Sequence, residues 1–196
     1  MKTITKKEIS GQSSPSQGVI PQKTLDFMPE LYKNSWIEDC DIKIKEWMVK
    51  EKKREKMGLY IYGSCGTGKT YALYALYRNC VLLQFPCCIE NTVELLRLFK
   101  RDFKYENESN FEYYLGYKGL LFIDDIGAEK NTEFVDETLY HLINTRNEKM
   151  LPTFFTSNLS LKELAKKNGD RLASRIAGMC EIIKLEGEDK RIKNHE

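Results

Sequence analysis

Residues 63–70 read GSCGTGKT, set between the apolar run LYIY (59–62) and the stretch YALYALY (71–77). The spacing G-x-x-x-x-G-K-[ST] is met by Gly63, Gly68, Lys69 and Thr70, with a further glycine at Gly66. Glycines let the backbone turn so that successive N–H groups face one anion. A helix predicted from Lys69 adds the positive end of its dipole at the same place. Lys69 is then positioned to reach the β and γ phosphates of a nucleotide, and the Thr70 hydroxyl to ligate Mg²⁺. A strand before and a helix after are the context this phosphate loop requires. The nucleotide contacts expected from it are Gly63, Ser64, Cys65, Gly66, Thr67, Gly68, Lys69 and Thr70. Tyr71 is next to them, facing the sugar or base. Cys65 reads as a tolerated small residue and not as a nucleophile.

Working outward, strand and helix patterns alternate. Strands are predicted at 58–62, 84–89, 120–124, 152–158 and 181–187. An amphipathic helix at 37–55 carries the stripe Ile37, Cys40, Ile44, Trp47 and Met48. Its cationic end, KEKKREK (50–56), suits a helix C-terminus. Asn91 with Glu94, and Ser160 with Glu163, are spaced as capping boxes. Val135, Leu139, Leu142 and Ile143 mark the buried face of a helix at 131–148. Gly169 ends the helix after Ser160, and Asp170 is placed to cap a short further one. Such alternation predicts an α/β fold with a parallel sheet covered by helices on both faces.

A phosphate loop needs a partner for its metal. LLFIDDIG (120–127) supplies an apolar strand ending in two carboxylates. In the template for such sites, Asp124 helps to hold Mg²⁺ with Thr70, and Asp125 orients or deprotonates the attacking water, with Glu129 a second candidate base. Both aspartates fall at the carboxyl end of a parallel strand, where ligands bind in these sheets. FFTSN (154–158) ends another strand in polar residues, so Asn158, or its neighbours Thr156 and Ser157, can sense the γ-phosphate. In DRLASRI, Arg171 and Arg175 are four apart on one helix face. Either can reach a neighbouring subunit's phosphate, with Arg175 the first choice.

In order, GSCGTGKT, LLFIDDIGAE, FFTSN and RLASRI resemble the AAA+ ATPases of the DnaC/DnaI helicase-loader and IstB group. The resemblance covers 58–191. It implies a P-loop NTPase (AAA+) fold with a five-stranded parallel sheet of order 5-1-4-3-2 and no C-terminal lid domain. It also implies ATP and Mg²⁺ bound between subunits of a homo-oligomer. By match, Asp124 and Asp125 take the Walker B roles, Asn158 that of the sensor, and Arg175 that of the arginine finger. Arg191 falls where relatives often carry an arginine. The catalytic set implied is Lys69, Asp125, Asn158 and Arg175. The expected function is ATP-dependent loading of a hexameric replicative helicase. The alternatives are an IstB-like transposition helper and, in a different class, a P-loop small-molecule kinase. Against the kinase, no Arg-rich lid segment is present. Loaders of this group carry an N-terminal domain that grips the helicase. Here 1–22 reads as a flexible polar arm and 23–196 as the ATPase domain.

The charge balance, 31 Lys and Arg against 29 Asp and Glu, does not by itself announce nucleic acid. Any basic surface must come from local clustering, and the group resembled carries, in the region of 91–104, a helix that faces single-stranded DNA. In NTVELLRLFKRDFK (91–104), Arg97, Lys100, Arg101 and Lys104 form one stripe opposite Leu95, Leu96, Phe99 and Phe103. A basic stripe tracks phosphates. Tyr105, Phe111, Tyr113, Tyr114 and Tyr117 offer rings on which bases of single-stranded DNA can stack. The bland alternative is an ordinary amphipathic helix with its aromatics in the core. The six cysteines form no C-x-x-C pair, and no segment reaches the roughly 20 apolar residues of a membrane span. These features predict a reduced, cytoplasmic protein with free thiols, no zinc site and no membrane association.

Overall fold

The computed structural model describes residues 28–49, 56–105 and 109–190. The predicted arm at 1–22, the cationic run at 50–55 and Arg191 lie outside the described residues. Five parallel strands, β1 (Gly58–Tyr62), β2 (Cys87–Asn91), β3 (Leu120–Asp124), β4 (Thr153–Ser157) and β5 (Cys180–Lys184), form one sheet of order β2-β3-β4-β1-β5. This is the order expected from the resemblance, read from the other edge.

The helices are α1 (Ile42–Val49), α2 (Lys69–Leu82), α3 (Thr92–Lys104), α4 (Ser109–Gly116), α5 (Glu133–Glu148), α6 (Leu161–Asn168) and α7 (Asp170–Met179). Alternation along each central strand divides the core. Leu59, Ile61, Phe122 and Phe154 face α1 and α2, where Trp47, Leu73 and Leu76 complete one cluster. Tyr60, Leu121, Ile123 and Phe155 face the other way, against Leu95, Phe99, Leu139, Leu142 and Ile176. The β1→β2 crossover runs in the opposite sense to the others, so right-handedness puts α2 on the opposite face from α3–α7. The carboxyl ends of β1 and β4 are therefore where the connections diverge, the crevice in which such sheets bind ligands.

Several element boundaries differ from expectation for local reasons. The predicted 37–55 helix begins instead as a 3₁₀ turn at Ile37–Asp39, and α1 starts after Asp41, whose Oδ1 accepts from Lys43 N–H at 2.9 Å. β2 starts at Cys87 and not at 84, because Gln84 adopts φ 59° and Pro86 has no N–H to donate. Asn91 caps α3 by accepting from Val93 N–H, but Glu94 turns to Arg97 and forms no capping box. The Ser160–Glu163 box is present. Asp170 is the first residue of α7 and makes no cap hydrogen bond. Residues 109–116 form a helix that no pattern in the sequence singled out.

Candidate nucleotide site

The P-loop runs from the end of β1 into α2, as its motif requires. Gly66 and Gly68 take φ of 74° and 92°, a region costly to side-chain-bearing residues. Gly63 N–H donates to Ser157 O at 3.3 Å, tying the loop to the end of β4. The loop also braces itself. Thr67 Oγ1 and Lys69 Nζ donate to Ser64 O at 2.9 and 2.7 Å. Lys69 is buried at the mouth of α2. Cys65 is exposed beside Asn158, with 3.9 Å between Sγ and Oδ1.

The two aspartates stand opposite. Thr70 Oγ1 donates to Asp124 Oδ1 at 3.1 Å, joining the P-loop helix to β3. The same oxygen accepts from Thr156 on β4. Burial raises the Asp124 carboxyl above its ordinary range, while the Thr156 and Thr70 hydroxyls pull it back down and Asp125 pushes it up. A hydroxyl and a carboxylate, both hard oxygen donors, suit Mg²⁺. Asp125 has φ 59°, its N–H donates to Thr156 Oγ1 at 2.8 Å, and its Oδ1 accepts from Asn158 Nδ2 at 3.3 Å. Thr70, Asp124, Thr156, Asp125 and Asn158 therefore form one hydrogen-bonded chain linking the start of α2 to the ends of β3 and β4.

Thr156 is the residue whose role the sequence undervalued. It bonds both aspartates at once, which only the β3–β4 pairing makes possible. Ser157 is equally occupied, donating to Ile126 O and accepting from Leu159 N–H. Glu129 departs from expectation, and the Tyr71 hydroxyl has partners of its own. Glu129 is buried and bonded to Gly127 N–H at 2.9 Å and to Asn168 Nδ2 at 3.1 Å, so it staples the turn after β3 and is not poised as a base. The Tyr71 hydroxyl donates to Asp39 Oδ2 and accepts from Trp36 N–H, both at 3.1 Å, which commits it to the 34–39 segment.

Arg171 and Arg175 are exposed on α7 and line a groove of about 480 Å³ with Tyr140, Asp170 and Ser174, none of them a P-loop residue. Arg175 Nε donates to Asn144 Oδ1 on α5 at 2.7 Å. On α3, Arg97, Lys100, Arg101 and Lys104 are all exposed, with Arg97 paired to Glu94. The aromatic expectation divides. Phe111 and Tyr114 are buried against Phe99 and cannot take bases, whereas Tyr105 and Tyr113 are exposed at 69% and 53%.

A glycine loop between a parallel strand and a helix, facing a strand-end aspartate pair, defines a P-loop nucleotide-binding protein. The chain belongs to the IstB-like ATP binding protein family, whose model matches residues 39–196. It is 32% identical over 147 residues to the replicative helicase loader DnaI of Bacillus subtilis (strain 168), covering 68% of this chain and 47% of that protein. It spans about half the length of the curated relatives it matches. The crystal structure of DnaI aligns with a TM-score of 0.66 at 28% identity, over 84% of this chain and 95% of that one. The crystal structure of the DnaC helicase loader has the same fold, with a TM-score of 0.69 at 22% identity over 81% of this chain and 100% of that one. The resemblance carried by the four motifs is thus borne out, and ATP is the nucleotide of the family. Among the described residues no helix is long and apolar enough to cross a membrane. None of the six cysteines, all of them among the described residues, is in a disulfide.

Proposed function

We propose that the protein is an AAA+ ATPase that loads a hexameric replicative helicase, using ATP as a timer on a protein–DNA assembly. The observation that carries this is the chain Thr70–Asp124–Thr156–Asp125–Asn158 beside the P-loop, in a sequence 32% identical to a replicative helicase loader. Thr70 and Asp124 would hold Mg²⁺, which when bound neutralises charge on the phosphates. Lys69 exchanges its Ser64 carbonyl for phosphate oxygens. Asp125, steadied by Asn158, orients and deprotonates the attacking water. Arg175, fixed at Nε by Asn144, presents its terminal nitrogens to the phosphate of an adjacent copy in a homo-oligomer. The exposed face of α3 tracks single-stranded DNA.

The test is co-migration of the purified protein with its host's hexameric helicase on a sizing column, with ATP and Mg²⁺. A nucleotide-dependent complex that Lys69→Ala abolishes is the expected result. No complex under any condition would sink helicase loading. The family match favours one alternative, an IstB-like transposition helper, for which the same column run with a transposase gives the complex instead.

A further inference from the structure

Arg78 lies on α2 two turns beyond Tyr71, about 10 Å along the helix axis from the residue that follows the P-loop. It is only 7% exposed. Its Nη1 donates to Lys33 O. Its Cζ stands 3.6 Å from the centroid of the Trp36 ring, so the indole covers one face of the guanidinium. Trp36 is itself fixed, because its N–H donates to the Tyr71 hydroxyl at 3.1 Å and its carbonyl accepts from Cys40 Sγ at 3.4 Å. What the fold leaves open is the guanidinium edge. Nε is enclosed and has no hydrogen-bond partner, and among the described residues Nη1 alone of the three nitrogens has an acceptor. A buried donor without an acceptor is costly, and most such groups in native proteins are paired.

The same side chain lines a cavity of about 230 Å³, with Trp36, Asn79 and the apolar Ile37, Ala75 and Leu82 around it. Nε–H and one Nη2–H point the same way in the guanidinium plane, the two-donor edge that fits the two oxygens of a carboxylate. The cavity is smaller than those that hold drug-sized ligands. It has room for a carboxylate on a short aliphatic stem, with Ile37, Ala75 and Leu82 against the stem. Glu38 also lines the cavity, but it is exposed and makes no ion pair with Arg78 among the described residues. We propose that this cavity is a carboxylate-binding site, in which Arg78 receives the acid through Nε and Nη2 while Trp36 holds the guanidinium in place. The ligand is a short-chain carboxylic acid, either free or as the side chain of a glutamate in a partner protein. An arginine that served only to fasten residues 33–36 to α2 would have no use for an open edge. The site is separate from the nucleotide crevice and stands whether or not the P-loop binds ATP.

The experiment records ¹H–¹⁵N spectra of the ¹⁵N-labelled full-length chain and follows the Arg78 Nε–Hε signal, assigned by its loss in Arg78→Lys. The probes are sodium butyrate, butyramide, inorganic phosphate, and the capped tripeptide acetyl-Gly-Glu-Gly-amide with its glutamine counterpart. Butyrate or the glutamate peptide is expected to move the signal saturably, because a charge-assisted hydrogen bond forms at Nε. Butyramide and the glutamine peptide, which lack the charge, leave it in place. Leu82→Phe keeps Arg78 but fills the cavity, and is expected to raise the Kd of the binding probe about tenfold through overpacking. If that variant does not fold, the carboxylate–amide pairs on the parent protein carry the test. Saturation by butyrate at the lower concentration assigns a free acid, and saturation by the peptide assigns a partner's side chain. No shift with either carboxylate, an equal shift with the amides or with phosphate, or a folded Leu82→Phe that binds as the parent does overturns the proposal.

Discussion

Asp125 holds a left-handed backbone conformation, φ 59°, that most residues avoid. Two contacts explain its persistence: its N–H reaches Thr156 Oγ1 and its side chain meets Asn158. Asparagine tolerates this conformation about as well as aspartate does. Asp125→Asn therefore removes the charge without disturbing the turn. ATP hydrolysis is expected to fall by about 100-fold or more, the usual contribution of a positioned base, while nucleotide affinity stays within about twofold. Steady-state phosphate release and nucleotide titration on the same preparation check this. Equal losses in both would make Asp125 a structural residue. Asp124 is the contrasting neighbour. Its desolvated carboxyl accepts from two hydroxyls, those of Thr70 and Thr156.

At the scale of elements, α3 links the site to a cationic surface. Thr92 Oγ1, in its first turn, donates to Asp124 O at 2.8 Å, so the helix starts from the strand that carries the aspartates. Its inner face is locked by Phe99 and Phe103 against Phe111 of α4, and buried Asp102 accepts two hydrogen bonds from Asn110, both at 3.1 Å. Only the outer face is left for solvent. Replacing Lys100, Arg101 and Lys104 together by alanine should leave thermal stability nearly unchanged. It should also flatten the dependence of log K on log salt for single-stranded DNA, by roughly 0.7 for each phosphate that is no longer neutralised. Fluorescence titration of a labelled oligonucleotide across salt concentrations measures the slope. An unchanged slope would return the stripe to an ordinary solvated face. Arg97 contributes less, because Glu94 already pairs with it.

For the whole molecule, the most consequential polar side chain is outside the nucleotide site. Arg146, at the end of α5, is fully buried, and among the described residues its hydrogen-bond partners are carbonyl and hydroxyl oxygens. Its guanidinium donates to the carbonyls of Tyr114, Tyr117 and Pro152 and to Thr153 Oγ1, at 2.9 to 3.1 Å. One side chain thus joins α4, the approach to β3 and the start of β4. Burial pushes its pKa down to about 10, still well above neutrality. Arg146→Ala leaves these acceptors unsatisfied in a cavity, a change expected to cost about 3–5 kcal/mol. Arg146→Lys restores only part, since an ammonium cannot span the fork. Urea unfolding of both variants provides the measurement, and a loss below about 1 kcal/mol would mean the carbonyls find other donors.

Local rules made much of this legible in advance. GSCGTGKT, LLFID and the polar end of FFTSN each carry their chemistry within a few residues, so the strands, their order by resemblance and the Thr70–Asp124–Asp125–Asn158 set could be read directly. The Ser160–Glu163 box was legible for the same reason. What misled was competition between neighbours. Glu94 had both a helix N-terminus and Arg97 within reach and took the cation. Glu129 looked like a free acid until Gly127 and Asn168 enclosed it. The aromatic run at 105–117 divided between core and surface only once α4 had packed against α3 and α5. The amino-acid sequence alone determined the nucleotide chemistry, because a phosphate cradle is built from consecutive backbone groups. Packing decided how Thr156 joins the two aspartates, how Arg146 closes the core and how Arg78 comes to stack on Trp36. Those contacts bring together residues far apart along the chain, and no local pattern encodes their meeting.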